Sequence, residues 1–318
     1  TLFRSGKLLA TSDIGLIEIV SRPGKPEFRS LLQGTSSGAT DTVGAYLKLM
    51  YEDKAGNLWF SNNSIIFQYA NGEIQRFVLS DKNQTDDYQR SYSFFEDDFG
   101  NFYAISEPGH LYHYDKAAGS FQEIENKLEI SAVQHAISLN GGNALIGSRH
   151  GLYKMVFNEA GNLLSAGLLV DAADVSYLFK KNANEIFVAT WSKGLKLLKT
   201  DHEGFEYNTV NKIKQKGINY IFRDKNSNYW LATDNGILLM QDTEFTPKFQ
   251  NYTDNYIQHI VQLTDSTLLF TDGNKVYKIT DGKDGQKIDE FLSLTGKIVL
   301  RMATDENGVW MADNTGEI

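Results

Sequence analysis

Apolar residues in this chain come in runs of four to six, each broken by Gly, Asn or Asp. Runs of that length between turn formers predict strands, since helices would show longer stripes of period 3.6. One phrase recurs: an apolar strand, an acidic or polar turn ending in Gly-Asn or similar, a second apolar strand, a polar turn and a third apolar strand. Its clearest copy runs from Tyr46 to Trp59 through Asp53, Gly56 and Asn57. Others run from Tyr92 to Tyr103, from Ile218 to Trp230 and from Ile298 to Trp310, and weaker copies surround Leu145, Phe187 and Leu268.

The large residue after each turn gives the anchors Leu8, Trp59, Tyr103, Leu145, Phe187, Trp230, Leu268 and Trp310. Their mean spacing of about 43 residues is that of a four-stranded propeller blade. The predicted fold is therefore all-β, a β-propeller of four-stranded antiparallel blades. The expected blade count is seven, with eight as the alternative, because the first copy has only a stub of its opening strand at Leu2 to Arg4 and the last stops soon after Trp310. Residues 1–318 read as one propeller domain, and the ragged ends lead us to expect a larger, multi-propeller polypeptide around it.

The first turn of each copy has a local reason. An Asp side chain accepts hydrogen bonds from amides ahead of it, and Gly supplies the positive φ of a bulged hairpin loop. The second strand carries its large residue inward and then small ones, as in Trp230 followed by Ala232 and Thr233. An outer, more variable strand follows, such as Phe121 to Ile124.

Composition narrows the function. The net charge of −9, from 31 Lys plus Arg against 40 Asp plus Glu, disfavours binding to a phosphate backbone, so no nucleic-acid partner is expected. Zero cysteines removes disulfides, thiol nucleophiles and Cys-ligated metal sites. No apolar run is long enough to span a bilayer, so any membrane anchor is expected elsewhere in the polypeptide.

Several motifs invite chemistry and yield structural readings. Gly34-Thr35-Ser36-Ser37-Gly38 has nucleophile-elbow spacing but no helical pattern after it, so a loop is expected. The acidic turns at Asp53, Asp97, Asp98, Asp224 and Asp305 lack alternating calcium-ligand spacing and repeat at one place in each blade, which indicates turn chemistry. They resemble the sialidase Asp-box, but Asp53 and Gly56 stand one residue further apart than in that box. His110 and His113, three apart on a strand, would face opposite ways and cannot chelate one ion. No metal and no cofactor is expected.

The second turns are the place to look for binding, because in a propeller they share one face with the connections from each outer strand to the next blade. Their residues include Asn62, Glu107, His110, Arg149, His150, Trp191, Lys193, Asp234, Asn235 and Asp272, a polar face of mixed charge. Trp191 departs from its neighbours, since Asp or Asn suits such a turn better. A flat amphipathic ring beside directional hydrogen-bonding groups is what a sugar surface needs, whereas packing on a neighbouring loop is the simpler role.

The stretch from Tyr51 to Phe60, with its Glu52, Asp53, Gly56, Asn57 and Trp59, resembles the two-component regulator propeller repeat. So do the Trp230 and Trp310 copies, Trp230-Leu231-Ala232-Thr233-Asp234-Asn235-Gly236 being nearest to the family's second half. The resemblance implies the periplasmic sensor region of a hybrid two-component system, in which two propellers usually precede an immunoglobulin-like domain, a membrane helix and a cytoplasmic histidine kinase. It implies a non-enzymatic sensor that recognises an oligosaccharide or mediates sensor dimerisation, with a homodimer as the partner state. Two alternatives stay open: a propeller lyase or glycoside hydrolase using Glu107, Asp234 and Asp272, and a protein-interaction platform.

Overall fold

The computed structural model describes residues 8–12, 15–20, 27–31, 48–61, 65–79, 91–126, 128–200, 204–210, 213, 215–241, 248–251, 253, 255–257, 259–282, 285–305 and 308–313. They form strands and turns, and no helix. Among them are six four-stranded antiparallel meanders, spanning residues 48–78, 92–124, 133–171, 175–209, 218–251 and 259–293. A three-stranded sheet precedes them at residues 8–30, and a hairpin, Val299–Asp305 with Gly308–Asp313, follows them. We number these sheets first to eighth in chain order. The first sheet holds the second to fourth strand positions of a blade and the eighth holds the first and second. Six complete blades, with a partial sheet at each end, fit the expected ring of seven.

Along the run from the second sheet to the eighth, the first strands of successive sheets lie beside one another, which turns the blades around a common axis. Each gap between neighbouring sheets holds its own apolar cluster. Trp59, Phe94 and Phe102 meet between the second and third sheets, and Trp230, Leu239, Ile260 and Phe270 between the sixth and seventh. A sheet buried on both faces has no reason to alternate polar and apolar residues. The second strands Phe102–Ser106, Tyr229–Thr233 and Thr267–Thr271 are accordingly buried at every position. Outer strands such as Glu73–Val78 are mostly exposed or half-buried.

The acidic first turns do structural work, as their repetition predicted. Asp53 accepts from the Asn57 amide at 2.8 Å, from Asn57 Nδ2 at 2.9 Å and from Trp59 Nε1 at 2.8 Å. Asp224 repeats this with the Asn228 amide, Asn228 Nδ2 and Trp230 Nε1 at 2.8, 2.9 and 2.8 Å. Asp97 does so with Asn101 and the Tyr103 hydroxyl, the latter at 3.1 Å. One buried carboxylate thus caps its turn and satisfies the buried polar edge of the anchor ring six residues on. Gly56 and Gly100 take φ of 84° and 85° there, and Ser227 fills the same role at 65°. The segment Gly34 to Gly38 lies outside the described residues, as does the stub at Leu2 to Arg4.

Candidate recognition face

A buried hydroxyl ends the second strand in every four-stranded sheet: Ser61, Ser106, Ser148, Thr190, Thr233 and Thr271 are fully enclosed. In five of the sheets the structure gives its partners in the second turn. Ser106 Oγ accepts from the His110 amide at 3.0 Å, and Ser148 Oγ from the His150 amide at 3.0 Å. Thr190 Oγ1 accepts from the Lys193 amide at 2.8 Å and donates to the Gly194 carbonyl at 2.7 Å. Thr233 and Thr271 hold the Asn235 and Gly273 amides at 3.2 and 3.1 Å. The turns are also stitched to the connections entering each first strand: Arg149 N donates to Ala132 O, Trp191 N to Asp174 O and Asp234 N to Gly217 O, at 3.1, 3.0 and 3.2 Å. The candidate side chains therefore stand on a backbone fixed beneath them.

Among the predicted residues, the structure brings Arg149 and Trp191 together. The Arg149 guanidinium carbon lies 5.3 Å from the centre of the Trp191 ring, a cation–π contact between the turns of the fourth and fifth sheets. Lys193 joins them through the connection 172–174, its Nζ donating to Ala172 O while Ser192 Oγ donates to Asp174 Oδ2. Trp191 is half-buried, and its Nε1 is enclosed without a hydrogen-bond partner. The other predicted residues disperse. His150 is exposed, and Glu107 is half-buried, its backbone held to Ser91 and Val133. His110 pairs through Nδ1 with Glu123 Oε1 of its own sheet at 3.1 Å. Asp234 and Asn235 are exposed. Asp272 accepts from Asn255 Nδ2 at 2.6 Å and from the Tyr277 hydroxyl at 3.0 Å. Glu107 sits on the third sheet while Asp234 and Asp272 sit on the sixth and seventh, and no hydrogen bond joins any two of these three described carboxylates. Asn62 lies outside the described residues.

Sequence reasoning missed a second feature, on the first strands. His135, Tyr177, Tyr220 and His259, from four successive sheets, form a continuous string of rings with centroids 4.3, 5.0 and 5.7 Å apart. A β-bulge opens the first strand at Val133/His135, Val175/Tyr177 and Ile218/Tyr220, and bulges re-aim side chains at such sites. Burial lifts the phenols of Tyr177 and Tyr220 above their ordinary range. Burial lowers His135 to about 4. Burial, with the Arg301 charge second, lowers His259 to about 3, and its Nδ1 accepts from the Met302 amide at 3.3 Å. Both rings are neutral at neutral pH. His135 Nδ1 and both side-chain polar atoms of Asn219 are enclosed without partners. The signal was present: His135, Tyr177 and Tyr220 recur at blade spacing, each a polar ring where the next residue but one in the repeat is aliphatic or aromatic.

Comparison with known proteins places the fold. No family model and no curated protein matches the chain. Among solved structures, the extracellular domain of the hybrid two component system BT3049 from B. thetaiotaomicron superposes with a TM-score of 0.58 at 17% identity, over 84% of this chain and 38% of that one. The extracellular domain of the hybrid two component system BT4673 from the same organism gives 0.57 at 12%, over 98% and 51%. Virginiamycin B lyase from Staphylococcus aureus gives 0.58 at 13%, over 83% and 90%. The chain thus spans at most about half of the two sensor domains and most of the lyase, and it shares the propeller fold of all three.

Proposed function

We propose that this propeller is a non-enzymatic sensing module of a hybrid two-component signalling protein, exposed on the periplasmic side of a membrane whose anchor lies elsewhere in the polypeptide. Its ligand on this reading is an oligosaccharide, taken up on the face of the second turns. The observation that carries it is the Arg149–Trp191 pair on a backbone-pinned turn. A sugar needs a flat apolar surface bordered by fixed donors and acceptors, and Lys193, His150 and Glu107 stand on the same and neighbouring turns. The likeness to two sensor domains supports the signalling role, and the absence of a helix long and apolar enough to cross a membrane among the described residues is compatible with it.

Calorimetric titration against a panel of plant and host oligosaccharides tests the reading, with Trp191→Ala as the control. Binding by the native chain with at least a tenfold loss in the variant, about 1.4 kcal/mol, is expected. Equal affinity in the two would remove Trp191 from the site, and no heat with any sugar would leave a dimerisation or platform role. The lyase fold match is compatible with a second reading, a propeller enzyme, for which a glycan would be the substrate to try first. Glu107, Asp234 and Asp272 would then have to act together, and turnover of a panel sugar that is lost in Asp234→Asn or Asp272→Asn would establish it.

A further inference from the structure

On the first strands, which lie beside one another around the axis, one place in the repeat is polar. His135, Tyr177, Tyr220 and Arg301 are each the first residue to pair after a bulge, and each stands opposite a small residue of the second strand: Gly147, Ala189, Ala232 and Ala312. His259 continues the string from the seventh sheet, its ring 5.7 Å from that of Tyr220. The four rings are only half-buried and Arg301 is exposed, so part of each faces open space along the axis. What they offer there is donors. Burial keeps the phenols of Tyr177 and Tyr220 protonated. His259 Nδ1 accepts from the Met302 amide, so the proton of this neutral ring sits on Nε2. The charged side chain acting on the string is Arg301, felt at Tyr220 and His259.

At the second-turn end of the axis, Tyr256 stands on the connection into the seventh sheet. Its neighbours are pinned, Ile257 N donating to Thr233 O at 3.1 Å and Asn255 Nδ2 to Asp272 Oδ2 at 2.6 Å, while Tyr256 itself is 45% exposed. Burial lifts its phenol, Asp234 lifts it further and Arg301 opposes them, so the ring lies within reach of both charges. We infer that Arg301 and Tyr256 form a binding site for a small organic acid at the mouth of the axis, the carboxylate on the guanidinium and the apolar body against the Tyr256 ring. A guanidinium takes a planar carboxylate through two parallel N–H donors, and the neutral donors of the string add to it without a second cation. Asp234 on the same mouth repels a second acidic group, which selects a monoacid. The acid is free or is the acidic end of a sugar chain, the carboxylate being common to both. The site uses neither Arg149 nor Trp191 and so goes beyond the sugar-binding reading.

Calorimetric titration of the full chain at pH 7 with benzoate and with galacturonate, each against its uncharged counterpart, benzamide and galactose, tests it. For ligands this small a dissociation constant on the order of 0.1–10 mM is expected, with at least one acid bound about tenfold or more tighter than its counterpart. Benzoate binding would identify a free acid, and galacturonate binding alone a sugar acid. Arg301→Gln should abolish the preference, Arg301→Lys should keep part of it, and Tyr256→Ala should weaken the acid about fivefold. Asp234→Asn should tighten it about threefold, a gain that a merely structural role would not produce. The three residues are exposed, so unfolding midpoints of the variants should match that of the native chain, and opposite shifts in Arg301→Lys and Asp234→Asn carry the test if Arg301→Gln does not fold. Heat from neither acid at about 20 mM, or an acid preference unchanged in the Arg301 variants, would overturn the inference. Neutral oligosaccharides bound without any acid preference would also overturn it while leaving the sensor reading standing.

Discussion

The ring string makes a quantitative prediction for acid stability through His135→Phe. In the folded chain His135 titrates near 4, while in the unfolded chain it returns to about 6.5. Its folded value is depressed, so the stability it contributes is fully present above about pH 6.5 and is lost as pH falls towards 4, because the unfolded chain takes a proton that the folded chain refuses. Between pH 7 and 5 that linkage removes about 2 kcal/mol, and His259, held near 3, removes a similar amount. Phenylalanine keeps a ring against Tyr177, 4.3 Å away in the native protein, and dispenses with an Nδ1 that has no partner. The variant is therefore expected within about 1 kcal/mol of the native chain at pH 7. At pH 5 it should have lost about 2 kcal/mol less than the native chain has. Urea unfolding followed by tryptophan fluorescence at pH 7, 6 and 5 measures this, and subtracting the two curves cancels every other titrating group. Parallel curves would refute the reasoning, because they would mean that His135 titrates alike in the folded and unfolded chain.

Two further substitutions probe the turns. Asp224→Ala removes the acceptor of three hydrogen bonds, one from buried Trp230 Nε1, and should cost about 2–4 kcal/mol by urea unfolding, whereas Asp265→Ala on an exposed turn should cost under about 0.5 kcal/mol. Gly109→Ala would place a Cβ 2.1 Å from Ile130 O at a φ of 102°, so a loss of about 2–4 kcal/mol is expected, and a variant as stable as the native chain would show that the connection at 130 yields freely.

The fold was legible in the sequence because each blade repeats the same solution. Asp53, Asn57 and Trp59 recur as Asp224, Asn228 and Trp230, and a carboxylate that must reach both a turn amide and an indole nitrogen tolerates little drift in spacing. The second turns were legible for a related reason, their Ser or Thr, then polar residue, then Gly. The partners of those turns were not. Arg149 and Trp191 lie on different blades, and their contact depends on how far one sheet is rotated from the next, which no local pattern encodes. The ring string was hidden because the repeat's large anchors lie on the second strand, while His135, Tyr177 and Tyr220 sit on the first, one residue beyond bulges that the repeat does not announce.

A molecule built by repetition also says where to look for what is particular to it. Whatever a blade needs in order to fold is met by the residue that recurs, so a side chain that breaks the pattern is not demanded by the blade. Trp191 stands where the sixth and seventh sheets place Asp234 and Asp272, both ordinary turn formers. Asn219 is enclosed with neither end paired, where the equivalent residue after the fifth sheet's bulge, Ser176, donates to Ile218 O and satisfies itself. Leu163–Asp171 carries no charge ahead of its last residue, unlike the other described outermost strands. Each departure costs stability or solubility: an indole nitrogen without a partner, an amide without one, and a bare apolar edge. The costs fall on the second turns, the first strands and the outer edge, three places where the blade's own repeat does not explain the residue that stands there.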